Sequence, residues 1–116
     1  MDSTAAVSAL AALAQEHRLA LFRLLVQAGD NGMAAGAIAA ALSVPGSSLS
    51  FHLAQLHKAS LVRQERRHRS IIYRADYAAM NALVRYLMEN CCAGADCAAP
   101  ACPPPAAALQ NERKSA

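Results

Sequence analysis

Tryptophan is absent from the 116 residues, and only two phenylalanines and three tyrosines are present. Hydrophobic residues make up 55% of the chain, but alanine supplies much of that share, so one subunit can build only a thin core. We expect helices buried between two subunits to complete it, as in an obligate homodimer. Long apolar runs are also missing, and none approaches the roughly 18 residues of a membrane span. The start is largely apolar, yet Asp2 stands where a secretory signal carries positive charge, and Gln15-Glu16-His17-Arg18 follows. We therefore expect a cytoplasmic protein with no membrane partner. No phosphate-binding or oxyanion-binding loop follows a strand pattern, so we expect neither an enzyme nor a catalytic cofactor. Cysteine is missing from the first 90 positions and then appears as Cys91, Cys92, Cys97 and Cys102. Cytosolic thiols stay reduced, so such a cluster points to ligands or redox chemistry before structural disulfides.

Acidic residues are scarce where basic ones gather. Residues 47–74 hold six basic side chains against Glu65 alone, a net charge of +5, and the remainder carries −2. A localised positive segment is the footprint of phosphate binding, although a solvated charged hairpin would look the same by charge alone.

The pattern inside that segment decides more. Leu49, Leu53 and Leu56 recur at i, i+4 and i+7, one buried helical stripe. Ser47, Phe51, Ala54 and Lys58 fall on the opposite face, with Ser48 and Gln55 on its flank. A small, polar outer face suits a helix entering the major groove. Leu61 and Val62 then begin a strand, Arg67-His68-Arg69 form a basic tip, and Ser70-Ile71-Ile72-Tyr73-Arg74 return. A recognition helix followed by a basic hairpin is a winged helix-turn-helix, mainly α with a small β-hairpin wing (α+β).

The flanks agree. Asp2, Ser3 or Thr4 can cap a first helix with Val7, Leu10 and Ala14 on one face. After a break near Gln15-Glu16, a second helix turns Leu21, Leu24 and Leu25 inward with Phe22 and Val26, and Gly29 ends it. A third helix runs from about Ala34 to Leu42. Ser43-Val44-Pro45-Gly46 makes the turn, because proline cannot continue a helix. Asp76 can cap a last helix whose Met80, Leu83, Val84, Leu87 and Met88 form an amphipathic stripe. We expect one winged domain over residues 1–92. A cysteine-containing, Ala/Pro-rich and largely disordered tail would cover 93–116.

Ser50-Phe51-His52-Leu53-Ala54-Gln55-Leu56-His57-Lys58-Ala59-Ser60-Leu61-Val62 resembles the signature Ser-x-His-Leu-x-x-Leu-x-x-Ala-x-Leu-Val of the ArsR/SmtB family of bacterial metal-responsive repressors. The likeness extends over about residues 10 to 90. It implies dimerisation through the first and last helices, and double-stranded operator DNA, an inverted repeat, as the partner. The two recognition helices would then sit about one helical turn apart. Ser47, Ser48, Ser50 and Gln55 can bond base edges or phosphates, and Lys58, Arg66, Arg67 and Arg69 can hold phosphates or enter a minor groove. Phe51 stands where many relatives carry a polar or basic residue. It either meets a thymine methyl group or folds back on the wing. His52 reads as a hydrogen-bonded structural residue, although the resemblance implies DNA proximity. His68 takes a place where relatives often have glycine, and histidine tolerates the positive φ of a tight hairpin better than most side chains.

Cys91, Cys92 and Cys97 can converge if Gly94 lets the chain curl back. Three thiolates suit a thiophilic ion: trivalent arsenic takes three sulfurs, whereas zinc prefers four ligands. The spacing resembles one arsenic-responsive branch of the family closely rather than completely. It implies As(III) as inducer, with Sb(III) or methylarsenite as variants, held by Cys91, Cys92 and Cys97. The family's arsenic site in the third helix is missing, because Met33-Ala34-Ala35-Gly36-Ala37-Ile38 holds no cysteine. The zinc site of the last helix is missing too, since no histidine follows Asp76 there. Cys102 is either a fourth thiolate or a spare. The sequence thus reads as a repressor released from DNA by arsenite. Alternatives are zinc or cadmium on four cysteines, a thiol redox switch, and a winged-helix protein-interaction module without a DNA role.

Overall fold

The computed structural model describes residues 1–91. In order the chain forms α1 (Ser3–Leu13), α2 (Glu16–Ala28), β1 (Met33–Ala34), α3 (Ala35–Leu42), α4 (Gly46–Lys58), β2 (Val62–Arg67), β3 (Ser70–Ala75) and α5 (Tyr77–Leu87). The mainly α winged helix-turn-helix architecture read from the sequence is the one observed.

Side chains start three of the helices. Asp2 Oδ1 accepts from the Ala5 N–H at 2.8 Å, the Gln15 side chain from the Arg18 N–H at 2.9 Å, and Asp76 Oδ1 from the Ala79 N–H at 3.0 Å. Each bond satisfies a donor that the helix itself leaves unpaired. Gly29 ends α2 with φ +74°, and Ser43 ends α3 in the left-handed region at φ +54°. Pro45 then stands at the N-cap of α4. The turn sets α3 and α4 at 111°, within the usual range of helix-turn-helix pairs.

Leu21, Leu25, Ile38, Leu56 and Leu61 are the largest fully buried side chains. Leu49 and Leu53 join them, so the expected stripe of α4 is its inner face. Two ties hold the periphery: Arg18 Nε donates to the Ala12 carbonyl at 2.7 Å, and the Tyr77 hydroxyl to the Val26 carbonyl at 3.0 Å.

The expectations for Val26 and for the start of the third helix need correction, and the apolar faces of α1 and α5 divide between core and surface. Val26 is exposed; its carbonyl, not its side chain, is what the neighbouring α5 engages. On α1 the buried positions are Ala6, Ala9 and Ala12, and the face with Val7 and Leu10 points outward. The stripe of α5 divides: Leu83 is buried and Met80 packs against the core, whereas Val84 and Leu87 are exposed. The third helix starts at Ala35, because Met33 and Ala34 form a strand of their own.

That strand makes the sheet three-stranded, in the order β1-β3-β2, antiparallel throughout. Met33 pairs with Tyr73 and Ala34 with Ile72. The approach requires a glycine beside it. Gly32 has φ +65°, and a Cβ there would lie 2.6 Å from the Tyr73 carbonyl oxygen. In the wing, Arg67 pairs with Ser70 across a two-residue turn, and His68 has φ +56°. The positive φ expected of His68 is therefore present.

Candidate nucleic-acid interface

The inner leucines of α4 fix which residues face out. Ser47, Ser48, Ser50, Ala54 and Lys58 are exposed, Gln55 and His52 are half-buried, and Phe51 is 57% exposed. No side chain caps the start of α4, so its first N–H groups emerge beside Ser47 and Ser48. Phe51 does not fold back on the wing: its ring meets the edge of His52, with centroids 5.8 Å apart.

His52 is held by rings rather than by a hydrogen bond. It stacks on His17 of α2, with centroids 5.6 Å apart and planes at 28°. Its Nδ1 is buried and has no hydrogen-bond partner among the described residues. Burial first, then the Arg18 guanidinium and the His17 ring, push its pKa below the ordinary value of 6.5. The hydrogen-bonded structural role expected of His52 is thus a packing role, locking α4 to α2.

Strand register sorts the wing residues by face. Cross-strand partners share a face, and neighbours along a strand alternate. Val62, Gln64 and Arg66 therefore share one face with Ala75, Tyr73 and Ile71, while Arg63, Glu65 and Arg67 share the other with Arg74, Ile72 and Ser70. Arg66 and Arg67 diverge. Arg67 also carries an intramolecular partner, since Glu65 Oε1 lies 3.4 Å from it and 3.0 Å from Arg74. Arg66, His68 and Arg69 are exposed at the tip, and no ion pair engages either arginine among the described residues.

Between the C-terminal half of α4 and the wing runs a cleft of about 310 Å³. Leu53, Ala54, Ser50, His57 and Lys58 line it from the helix, and Gln64 and Tyr73 from the sheet. His57, Gln64 and Tyr73 escaped the sequence reading. The alternation of the hairpin carried the signal for the last two, but only the observed register turns it into a shared face.

Of the cysteines, Cys91 is half-buried just past α5, its N–H donating to the Met88 carbonyl at 3.0 Å. Cys92, Cys97, Cys102 and the tail expected from 93 onward lie outside the described residues. Among the described residues no three His, Cys, Asp or Glu side chains gather as a metal site, and no single helix is long and apolar enough to cross a membrane.

Residues 13–65 match a helix-turn-helix domain family. Among solved structures, the chain is similar to an ArsR-like transcriptional regulator from Rhodococcus sp. RHA1, at 25% identity and a TM-score of 0.67, covering 97% of this chain and 88% of that one. It is similar to NolR from Sinorhizobium fredii at 32% identity and a TM-score of 0.60, covering 75% and 84%. It also resembles the homodimeric winged helix-turn-helix DNA-binding domain Mb0332 from Mycobacterium bovis, described as a possible ArsR-family transcriptional regulator. There the identity is 30% and the TM-score 0.60, over 75% of this chain and 81% of that one. The chain belongs to the ArsR family of winged helix-turn-helix regulators. No curated protein matches it. In this ArsR-family chain the match spans the helix-turn-helix and ends within β2, while the cysteines fall beyond it.

Proposed function

We propose that this chain is a DNA-binding transcriptional repressor that works as a homodimer on an inverted-repeat operator and is released by trivalent arsenic. The observation that carries the DNA role is the outer face of α4, small and polar apart from Phe51, set beside a wing whose tip presents Arg66 and Arg69. A helix of this kind fits the major groove, and guanidinium groups suit phosphates or a narrow minor groove. The homodimer reading is supported by Val7 and Leu10 on α1 with Val84 and Leu87 on α5, apolar side chains that one subunit leaves exposed. A homodimeric neighbour of the same fold adds to that support.

The inducer assignment rests on the sequence. Cys91 stands four residues past the end of α5, Cys92 follows it in sequence, and Cys97 comes five positions later. Their thiolates can hold arsenite or antimonite, and binding displaces protons. Capture at the end of α5 would act on the helix that carries Val84 and Leu87, and so on the spacing of the two recognition helices. A coupling of this kind lowers DNA affinity about 5- to 150-fold.

The test is fluorescence anisotropy of reduced protein on DNA from upstream of its own gene, titrated with arsenite and separately with zinc. Release by arsenite alone, lost in Cys92→Ser while DNA binding persists, is the expected result. Release by zinc alone replaces the inducer, and DNA binding indifferent to both removes it. No binding even at low salt overturns the DNA role in favour of a protein-interaction module.

A further inference from the structure

We infer that the cleft between α4 and the wing is a phosphate seat for one DNA strand, with His57, Gln64 and Tyr73 as contacts alongside Ser50 and Lys58; the inference rests on the DNA-binding reading above. The argument begins with the shape of the duplex. Each sugar-phosphate strand is the wall between a major and a minor groove. A protein that places a helix in one groove and a hairpin tip in the next must let that wall pass between them. In this chain the space between those two elements is the 310 Å³ cleft.

Its chemistry suits that passenger. Five polar side chains line it: a serine hydroxyl, an imidazole, an ammonium, a carboxamide and a phenol. Every one can donate a hydrogen bond, and no carboxylate is among them. The three helix positions Ser50, His57 and Lys58 follow at i, i+7 and i+8, one stripe along α4. Gln64 and Tyr73 are directly paired across β2 and β3, so they enter from the sheet at the same level. Lys58 meets no acidic partner among the described residues. Arg66 continues the same sheet face toward the tip, extending the row of donors along the path a strand would take. The opposite face differs in kind: there a carboxylate, Glu65, stands among Arg63, Arg67 and Arg74 and engages the last two.

The donor set carries no base-specific fork, so its contribution is register and affinity rather than sequence choice. The experiment uses the full chain and a duplex from upstream of its own gene. Single phosphates are replaced in turn by uncharged methylphosphonates, and affinity is read by anisotropy. In the wild type, one position per half-site costs about tenfold, the scale of a lost charge-assisted hydrogen bond. In Lys58→Gln and Tyr73→Phe that same position costs clearly less than in the wild type, because one of its donors is already gone, while the other positions keep their cost. Gln64→Ala, at an exposed site, gives the same pattern and guards against a variant that fails to fold, which circular dichroism detects. An equal penalty in the wild type and all three variants overturns the seat while leaving DNA binding intact. A wild type that binds no duplex at low salt overturns both readings.

Discussion

The Glu65 carboxylate lies 3.0 Å from the guanidinium of Arg74, two residues beyond its direct partner Ile72 on the neighbouring strand. The pair has a local cause. Arg63 and Arg74 sit directly opposite each other, and like charges in that position repel. Glu65 shares their face and answers both Arg74 and Arg67. It also holds back two of the wing's cations from any phosphate.

Glu65→Gln should therefore strengthen binding to non-specific DNA. The loss of one negative charge raises the slope of log affinity against log salt by about one. Folding stability should change by about 1 kcal/mol, because Glu65 and Arg74 are half-buried at the surface and the mutual repulsion of the arginines is all that Glu65 offsets. Anisotropy across a salt series reads the first effect and urea unfolding the second. An unchanged slope would mean that Arg67 and Arg74 never meet phosphate.

Leu87→Glu should convert the dimer to a monomer. Leu87 is 56% exposed in one subunit, so the substitution removes nothing from the core. Sedimentation velocity should show half the mass, while the helical circular dichroism is largely retained. A dimer that survives both Leu87→Glu and Val7→Glu would move the interface elsewhere.

Gly32→Ala should destabilise the fold by about 2 kcal/mol or more. The new methyl would meet the Tyr73 carbonyl oxygen at 2.6 Å in a backbone already at φ +65°. Relief requires pulling β1 from β3. Gly36→Ala is the control, since a methyl there meets nothing within 4 Å. Denaturant midpoints compare the two.

Acid should weaken the fold through His52. Its folded pKa lies below 6.5, held down by burial, Arg18 and His17. In the window between the folded value and 6.5 the unfolded chain binds more protons, so stability falls as pH drops through that window. Above 6.5 the group makes no difference between the states. The sensitive partners are the His17 ring and Arg18 on α2, and His52→Gln should flatten the dependence. A His52→Gln variant as acid-sensitive as the wild type would place the proton uptake elsewhere.

How much was legible follows from which physical rule each element obeys. The inner face of α4 was readable, because Leu49, Leu53 and Leu56 are its only large aliphatic residues and all three are buried, whereas the ring contacts of His52 were not. The hairpin was readable from its basic turn. On α1 and α5 the usual logic of larger apolar residues inward fails at Val7, Leu10, Val84 and Leu87, which are outward. Period alone does not say which neighbour a face meets. β1 left no trace in sequence, being two residues long with a partner about forty residues away. The wing–helix cleft needed the register of Gln64 against Tyr73. Cys92, Cys97 and Cys102 remain a matter of sequence.

Ala6, Ala9 and Ala12 give α1 its only buried positions in its own subunit, and each offers a single methyl. Apart from Leu13, which packs against the core at its end, such a helix is held by little area on that side, while Val7 and Leu10 wait on the other. With a partner covering them, ordering of α1 and association become one equilibrium. The population of well-ordered protein then depends on how many copies the cell makes. A regulator built this way would gauge its own abundance: in scarce copies the first helix is held less firmly, and accumulating copies steady it.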